Sequence, residues 1–100
     1  VRRAARVDAN HSAILATLRA LGAHVVDTSH VGGGFPDALV LHRGKCLPVE
    51  IKDGAKPPSA RKLTPAQAVF HAEWERAGCP VTVLTSEADA VAFIGAREAA

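Results

Sequence analysis

Two apolar runs, Ala38–Leu41 and Leu47–Ile51, flank a short segment holding Arg43, Gly44 and Lys45, a spacing that fits a tight antiparallel hairpin. Side chains alternate along a strand, so Glu50 and Lys52 project from one face of the second run and Val49 and Ile51 from the other. The charged pair is expected to face a cleft or solvent while the strand packs behind it. Pro48 removes a ladder donor, so pairing is expected to be incomplete on one side there.

Asp37 precedes the first run and follows Gly-Gly-Gly-Phe-Pro, a loop that lets backbone approach a ligand closely. Its face depends on the hairpin loop. An even loop puts Asp37 beside Glu50 and Lys52, whereas an odd loop without a bulge sends it to the opposite face. A Gly44-Lys45 turn places it opposite Lys52 and an Arg43-Gly44 turn opposite Glu50; an even loop is the expectation.

The rest of the chain frames this hairpin. Ile14, Leu15, Leu18 and Leu21 recur at helical spacing between Asp8, a candidate N-cap, and Gly22, a stop. Ala23 to Asp27 reads as a strand that enters the loop of Thr28, Ser29, His30 and the glycines. Asp53 to Lys62, with Pro57 and Pro58, reads as an exposed cationic loop. Thr64 then caps a helix with Pro65 at its first position and Gln67 at the capping-box position, and Phe70 and Trp74 share a face expected to enter the core. Val81 to Leu84 is a strand, and Ser86 with Asp89 caps a last helix carrying Val91, Phe93 and Ile94. The predicted order is helix, three strands, helix, strand, helix: an α/β chain.

One hundred residues, 48% hydrophobic and 22% charged, suit one globular domain over 1–100 and exclude a disordered chain. A core this small makes a homodimer a reasonable way to cover more surface. No run approaches the roughly 18 apolar residues of a membrane span, and the N-terminus with Arg2, Arg3 and Arg6 lacks a signal-peptide core, so a cytoplasmic location is expected. Cys46 and Cys79 have no metal or disulfide spacing and read as small buried hydrophobes. The formal charge of +2 permits a nucleic-acid partner without demanding one.

Two carboxylates close together repel unless a cation lies between them, and oxygen ligands suit Mg²⁺ or Mn²⁺ rather than zinc. Such an ion polarises a phosphoryl oxygen and acidifies water, while Lys52 can position or deprotonate that water and offset charge developing on phosphorus. The chemistry described is phosphodiester hydrolysis.

Pro36-Asp37 followed by Glu50-Ile51-Lys52 resembles the core motif of the PD-(D/E)XK nuclease superfamily. Asp8-Ala9-Asn10, Gly34 to Asp37, Glu50 to Gly54 and Leu63 to Gln67 are similar to elements of small phage and bacterial nucleases of the VRR-NUC and Holliday-junction-resolvase-like type. The resemblance spans nearly the whole chain and implies a restriction-endonuclease-like core, with a mixed central sheet flanked by helices. It implies that Asp37, Glu50 and the Ile51 carbonyl ligate Mg²⁺, with Mn²⁺ as a substitute, that Lys52 serves the attacking water and that Gln67 is accessory. It further implies a structure-selective DNA endonuclease of replication, repair or junction resolution, in a bacterial or phage-infected cell. The alternative is a non-catalytic nucleic-acid-binding module that retains the fold.

Related nucleases often carry a glutamate near the start of the first helix, where this chain has His11 after Asn10. His11 shares a helical face with Ile14, Leu15 and Leu18, and is expected to point toward the sheet and reach the cleft as a further metal contact. Arg3, Arg6, His30, Lys56, Arg61 and Lys62 are candidate DNA contacts. Asp8 and Asn10 read mainly as caps. His24, His42 and His71 lack metal spacing and an evident acid partner, and read as surface or satisfied core histidines.

Overall fold

A computed structural model describes residues 7–99, so Arg2, Arg3 and Arg6 lie outside the described residues. The elements are α1 (His11–Ala20), β1 (His24–Asp27), β2 (Ala38–His42), β3 (Lys45–Ile51), a 3-10 turn (Pro58–Ala60), α2 (Pro65–Arg76), β4 (Thr82–Leu84) and α3 (Glu87–Ala99). The strands form one mixed sheet in the order β1-β2-β3-β4. The first three pair antiparallel, and β3 pairs parallel with β4 after the crossover through α2.

His42 pairs with Lys45, which leaves Arg43 and Gly44 as the two loop residues. Both have positive φ, +51° and +79°, the signature of a type I′ turn. Carried one step past the pairing of Ala38 with Val49, this register brings Asp37 opposite Glu50. The even loop is therefore the Arg43-Gly44 turn. Pro48 sits one residue before β3 begins to pair with β4 at Val49, where its missing N–H costs no ladder bond to that strand.

One sheet face presents Val25, Val40, Ala38, Val49, Ile51 and Leu84 to Ile14, Leu15 and Leu18 of α1 and to Ala90, Phe93 and Ile94 of α3. Burying each large aliphatic side chain here contributes about 1.5–3 kcal/mol. The other face is covered less evenly. Val26, Leu41 and Val83 remain exposed, as does Cys46, and Cys79 is only half-buried, so the cysteines are not the core residues the sequence suggests.

α2 contributes no fully buried residue. Its aromatic side chains instead meet Phe35 of the glycine loop, with ring centroids 5.3 Å (Phe70) and 5.9 Å (Trp74) away, both edge-on. Phe70 and Trp74 thus form a half-buried satellite cluster rather than joining the core. Gly34 makes that approach possible: its φ is +87°, and a Cβ there would stand 2.5 Å from the Ala66 carbonyl oxygen.

At its N-terminus α1 departs from expectation. The residue at the cap position is Asn10, and its side chain makes no capping bond. Asp8 contributes only its backbone carbonyl, which accepts from the His11 N–H at 3.0 Å. Among the described residues, no helix is long and apolar enough to cross a membrane.

Replacing Gly34 with alanine combines an unfavourable φ with a backbone clash at the start of α2, so a loss of about 2–3 kcal/mol is expected. Urea denaturation of Gly34→Ala against the wild-type chain measures it; an unchanged midpoint means that α2 does not dock through this contact.

Candidate active site

Where β3 leaves the sheet, the chain keeps bonding to the β4 side: the Lys52 N–H donates to the Leu84 carbonyl (3.1 Å) and the Gly54 N–H to the Thr85 carbonyl (3.0 Å). Asn10 Nδ2 donates to the carbonyls of Lys52 (3.1 Å) and Thr85 (2.9 Å), tying the opening of α1 to both strand ends. This role answers the missing capping bond. The Lys52 backbone is thereby held at both its N–H and its carbonyl.

Asp37 is fixed from two sides. Its backbone carbonyl accepts from the Thr28 N–H (2.9 Å), while the buried Thr28 hydroxyl donates to the Pro36 carbonyl (2.7 Å). Its carboxylate reaches across the hairpin, where Oδ2 accepts from the Ile51 N–H at 2.7 Å. Glu50, on the same sheet face, is only 1% exposed. It faces into the cleft as the alternation predicts, but with almost no water contact.

Side chains from α2 meet this pair. Gln67 Nε2 donates to Glu50 Oε2 (3.0 Å), and Gln67 Oε1 accepts from Lys52 Nζ at 2.7 Å. The same oxygen accepts from the Thr64 N–H (2.9 Å), and Thr64 Oγ1 accepts from the Gln67 N–H (3.2 Å), a complete capping box. Capping and site contact, alternatives in the sequence, are both made by one amide. One turn further along α2, His71 Nε2 lies 3.2 Å from Glu50 Oε1.

Burial pushes the Glu50 carboxyl up to about 9, helped by hydrogen bonding to Asp37 and by repulsion from it, and opposed by the Lys52 charge. Burial also pushes the His71 imidazole down, the Lys52 charge acting in the same direction and Asp37 against it. Two carboxyls so placed resist being ionised together, and a cation between them would relieve that repulsion.

Asp37, Glu50, Ile51, Lys52 and Gln67 line one cavity of about 350 Å³, together with Val7, Asp8, Lys56 and Thr64. Lys56 Nζ stands 3.6 Å from Asp8 Oδ1. The structure therefore brings together the three motif residues, the Gln67 amide and one of the candidate DNA contacts. The others are set differently: His30 and Lys62 are exposed outside the cavity lining, and Arg61 is half-buried. Arg3 and Arg6 fall outside the described residues.

His11 does not reach the cleft. It is buried, but its Nε2 pairs with Asp27 Oδ2 at 3.2 Å, and it is not among the residues lining the cavity. Asp27 also accepts from the Ser29 N–H and hydroxyl; burial pushes its carboxyl up, and these bonds with His11 outweigh that and draw it down to about 2. His42 has an acid partner too, Glu98, at 3.1 Å.

Three contributors were not visible as such in the sequence: His71, the two hydrogen bonds donated by Asn10, and Asp8 as a third carboxylate on the cavity wall. Asp8 and Asn10 carried the signal of the Asp8-Ala9-Asn10 resemblance, though not these contacts, and His71 carried one of spacing. It stands four residues after Gln67 and hence on the same helical face.

Among the described residues no group of three or more His, Cys, Asp and Glu side chains is arranged to hold a metal ion. Mg²⁺ does not need one. It keeps several waters and uses one or two carboxylates, so Asp37, Glu50 and the Ile51 carbonyl fit it as a hard oxygen set.

A solved structure described as a VRR_NUC domain superposes on the chain with a TM-score of 0.65 at 28% sequence identity, covering 88% of this chain and 97% of that one. No family model and no curated protein matches the chain. The chain has a VRR-NUC, PD-(D/E)XK-like nuclease fold, with a mixed four-stranded sheet and three helices.

The raised Glu50 value has a definite sign. The folded chain keeps a proton that the unfolded chain releases near 4.5, so the stability linked to it is full below that pH and is lost as pH rises toward about 9. Without metal, the melting temperature of the wild-type protein is expected to fall between about pH 5 and about pH 9, and that of Glu50→Gln to stay nearly flat. At the alkaline end Glu50→Gln should be the more stable by at least about 1.4 kcal/mol, the equivalent of one pKa unit. Parallel slopes in calorimetry would remove the case for a protonated Glu50.

Proposed function

We propose that the chain is a metal-dependent DNA endonuclease that hydrolyses phosphodiester bonds. The observation that carries this reading is the single cavity in which Asp37 and Glu50 stand beside Lys52, itself fixed at 2.7 Å by Gln67. The likeness to the VRR_NUC domain supports it.

Asp37, Glu50 and the Ile51 carbonyl would hold Mg²⁺ or Mn²⁺. When bound, such an ion supplies Lewis-acid polarisation of a phosphoryl oxygen and acidifies water. The remaining work belongs to the chain's own groups. Gln67 Oε1 accepts from Lys52 Nζ, which holds the ammonium in the cavity, where it orients the attacking water and offsets negative charge developing on the phosphoryl oxygens. Ile51 N–H holds one oxygen of Asp37 and so directs the other. Lys56, half-exposed on the cavity wall, attracts the DNA backbone, and an incoming phosphate competes with Asp8 for it.

The structure selectivity, the phage or prophage setting and the homodimer belong to the same proposal. A pair of such cavities related by two-fold symmetry suits a branched substrate that needs two cuts.

Incubating the purified chain with linear and branched DNA in Mg²⁺, Mn²⁺ or EDTA tests the reading. Cleavage is expected with either ion and none with EDTA; Lys52→Ala and Asp37→Ala should each lower the rate by about 10²–10⁴-fold. DNA binding should weaken steeply with salt. Cleavage that persists unchanged in both variants sinks the assigned mechanism, and salt-dependent binding without any cleavage favours the non-catalytic module.

A further inference from the structure

Each oxygen of Glu50 has a separate partner on the same helix: Oε2 accepts from Gln67, and Oε1 lies 3.2 Å from His71 Nε2. The His71 side chain is 13% exposed and that of Glu50 1%, so water competes little for this contact. With Glu50 ionised the contact requires the Nε2–H tautomer of His71, since a carboxylate only accepts, and each oxygen then keeps a further lone pair. α2 is anchored independently of any ion, by its capping box, by the Gly34 approach to Ala66 and by the rings of Phe35, Phe70 and Trp74.

We propose that His71 is a positioning residue for the divalent cation of this site: with Gln67 it grips Glu50 by both oxygens and fixes the direction of the lone pairs left for the ion. The inference rests on the metal-dependent reading above and deepens it. A glutamate side chain has several rotatable bonds, and two donors on one rigid helix face remove the freedom that cation binding otherwise has to remove. His71 acts behind the carboxylate rather than as a ligand. Its Nε2 is already turned to Glu50, and an oxygen set suits Mg²⁺ or Mn²⁺ better than an added imidazole. Loss of such an outer contact typically costs 10–100-fold in metal affinity.

The test titrates Mn²⁺ into the full chain and reads the free ion by electron paramagnetic resonance, with circular dichroism on every sample. The wild-type chain should bind, and Asp37→Ala should not. His71→Ala and His71→Phe, which lack the donor, are expected to weaken Mn²⁺ binding by about 10–100-fold with the fold intact. His71→Gln, which restores an N–H at similar reach, should stay within about threefold of the wild type. If His71→Ala does not fold, the comparison of the phenylalanine and glutamine variants decides. Equal affinity in those two variants overturns the positioning role while leaving the metal site standing. Failure of the wild-type chain to bind Mn²⁺ overturns the metal-dependent reading and this inference with it.

Discussion

Glu50 keeps 1% of its surface in contact with water, and a carboxyl so placed must find partners or give up its charge. Much of the cavity answers to that condition. Gln67 and His71 reach down from α2, Lys52 lies two residues away on the same strand face, and Asp37 faces it across the hairpin. Asp37 worsens the problem, because a second carboxylate makes ionisation of the first harder. The apolar side of β3 sets the depth: Val49 and Ile51 pack into the core, and the alternation of the strand carries Glu50 to the covered part of the opposite face.

Gln67 joins the local and the long-range structure. One oxygen closes the capping box of α2 and also receives the Lys52 ammonium, while the amide nitrogen of the same side chain serves Glu50. The helix start and the charged cluster are therefore a single hydrogen-bonded unit. Such a unit is worth more than its separate bonds when complete, and is weakened throughout when one member is lost.

The parity of the hairpin loop was legible because tight turns have few solutions, whereas the register was not, since two even turns fit the same residues. Any two-residue turn puts Asp37 on the face of Glu50 and Lys52; the Arg43-Gly44 turn, with both residues at positive φ, then sets Asp37 opposite Glu50 rather than Lys52. The capping box was legible for a similar reason, since Thr64, Pro65 and Gln67 are a local signal. What escaped the sequence depends on partners distant in the chain. Asn10 bonds to carbonyls 42 and 75 residues away, and His71 to a carboxylate 21 residues back. Propensity could place Asn10 at a helix start but could not say that its amide would be spent elsewhere. His11 had the helical phase to face the sheet, and met Asp27 there before it could meet the cleft. Cys46 is exposed because it lies on the strand face opposite Leu47 and Val49, paired with Leu41, which is exposed as well.

The aromatic cluster gives the chain an optical property. Trp74 is its one tryptophan and it has no tyrosine, so almost all of its near-ultraviolet emission arises on α2, beside Phe35 of the loop that leads into Asp37. The fluorophore sits on the element that grips Glu50, three residues beyond His71. Its colour and intensity therefore report whether that helix is seated, largely undiluted by signal from the core beneath α1 and α3.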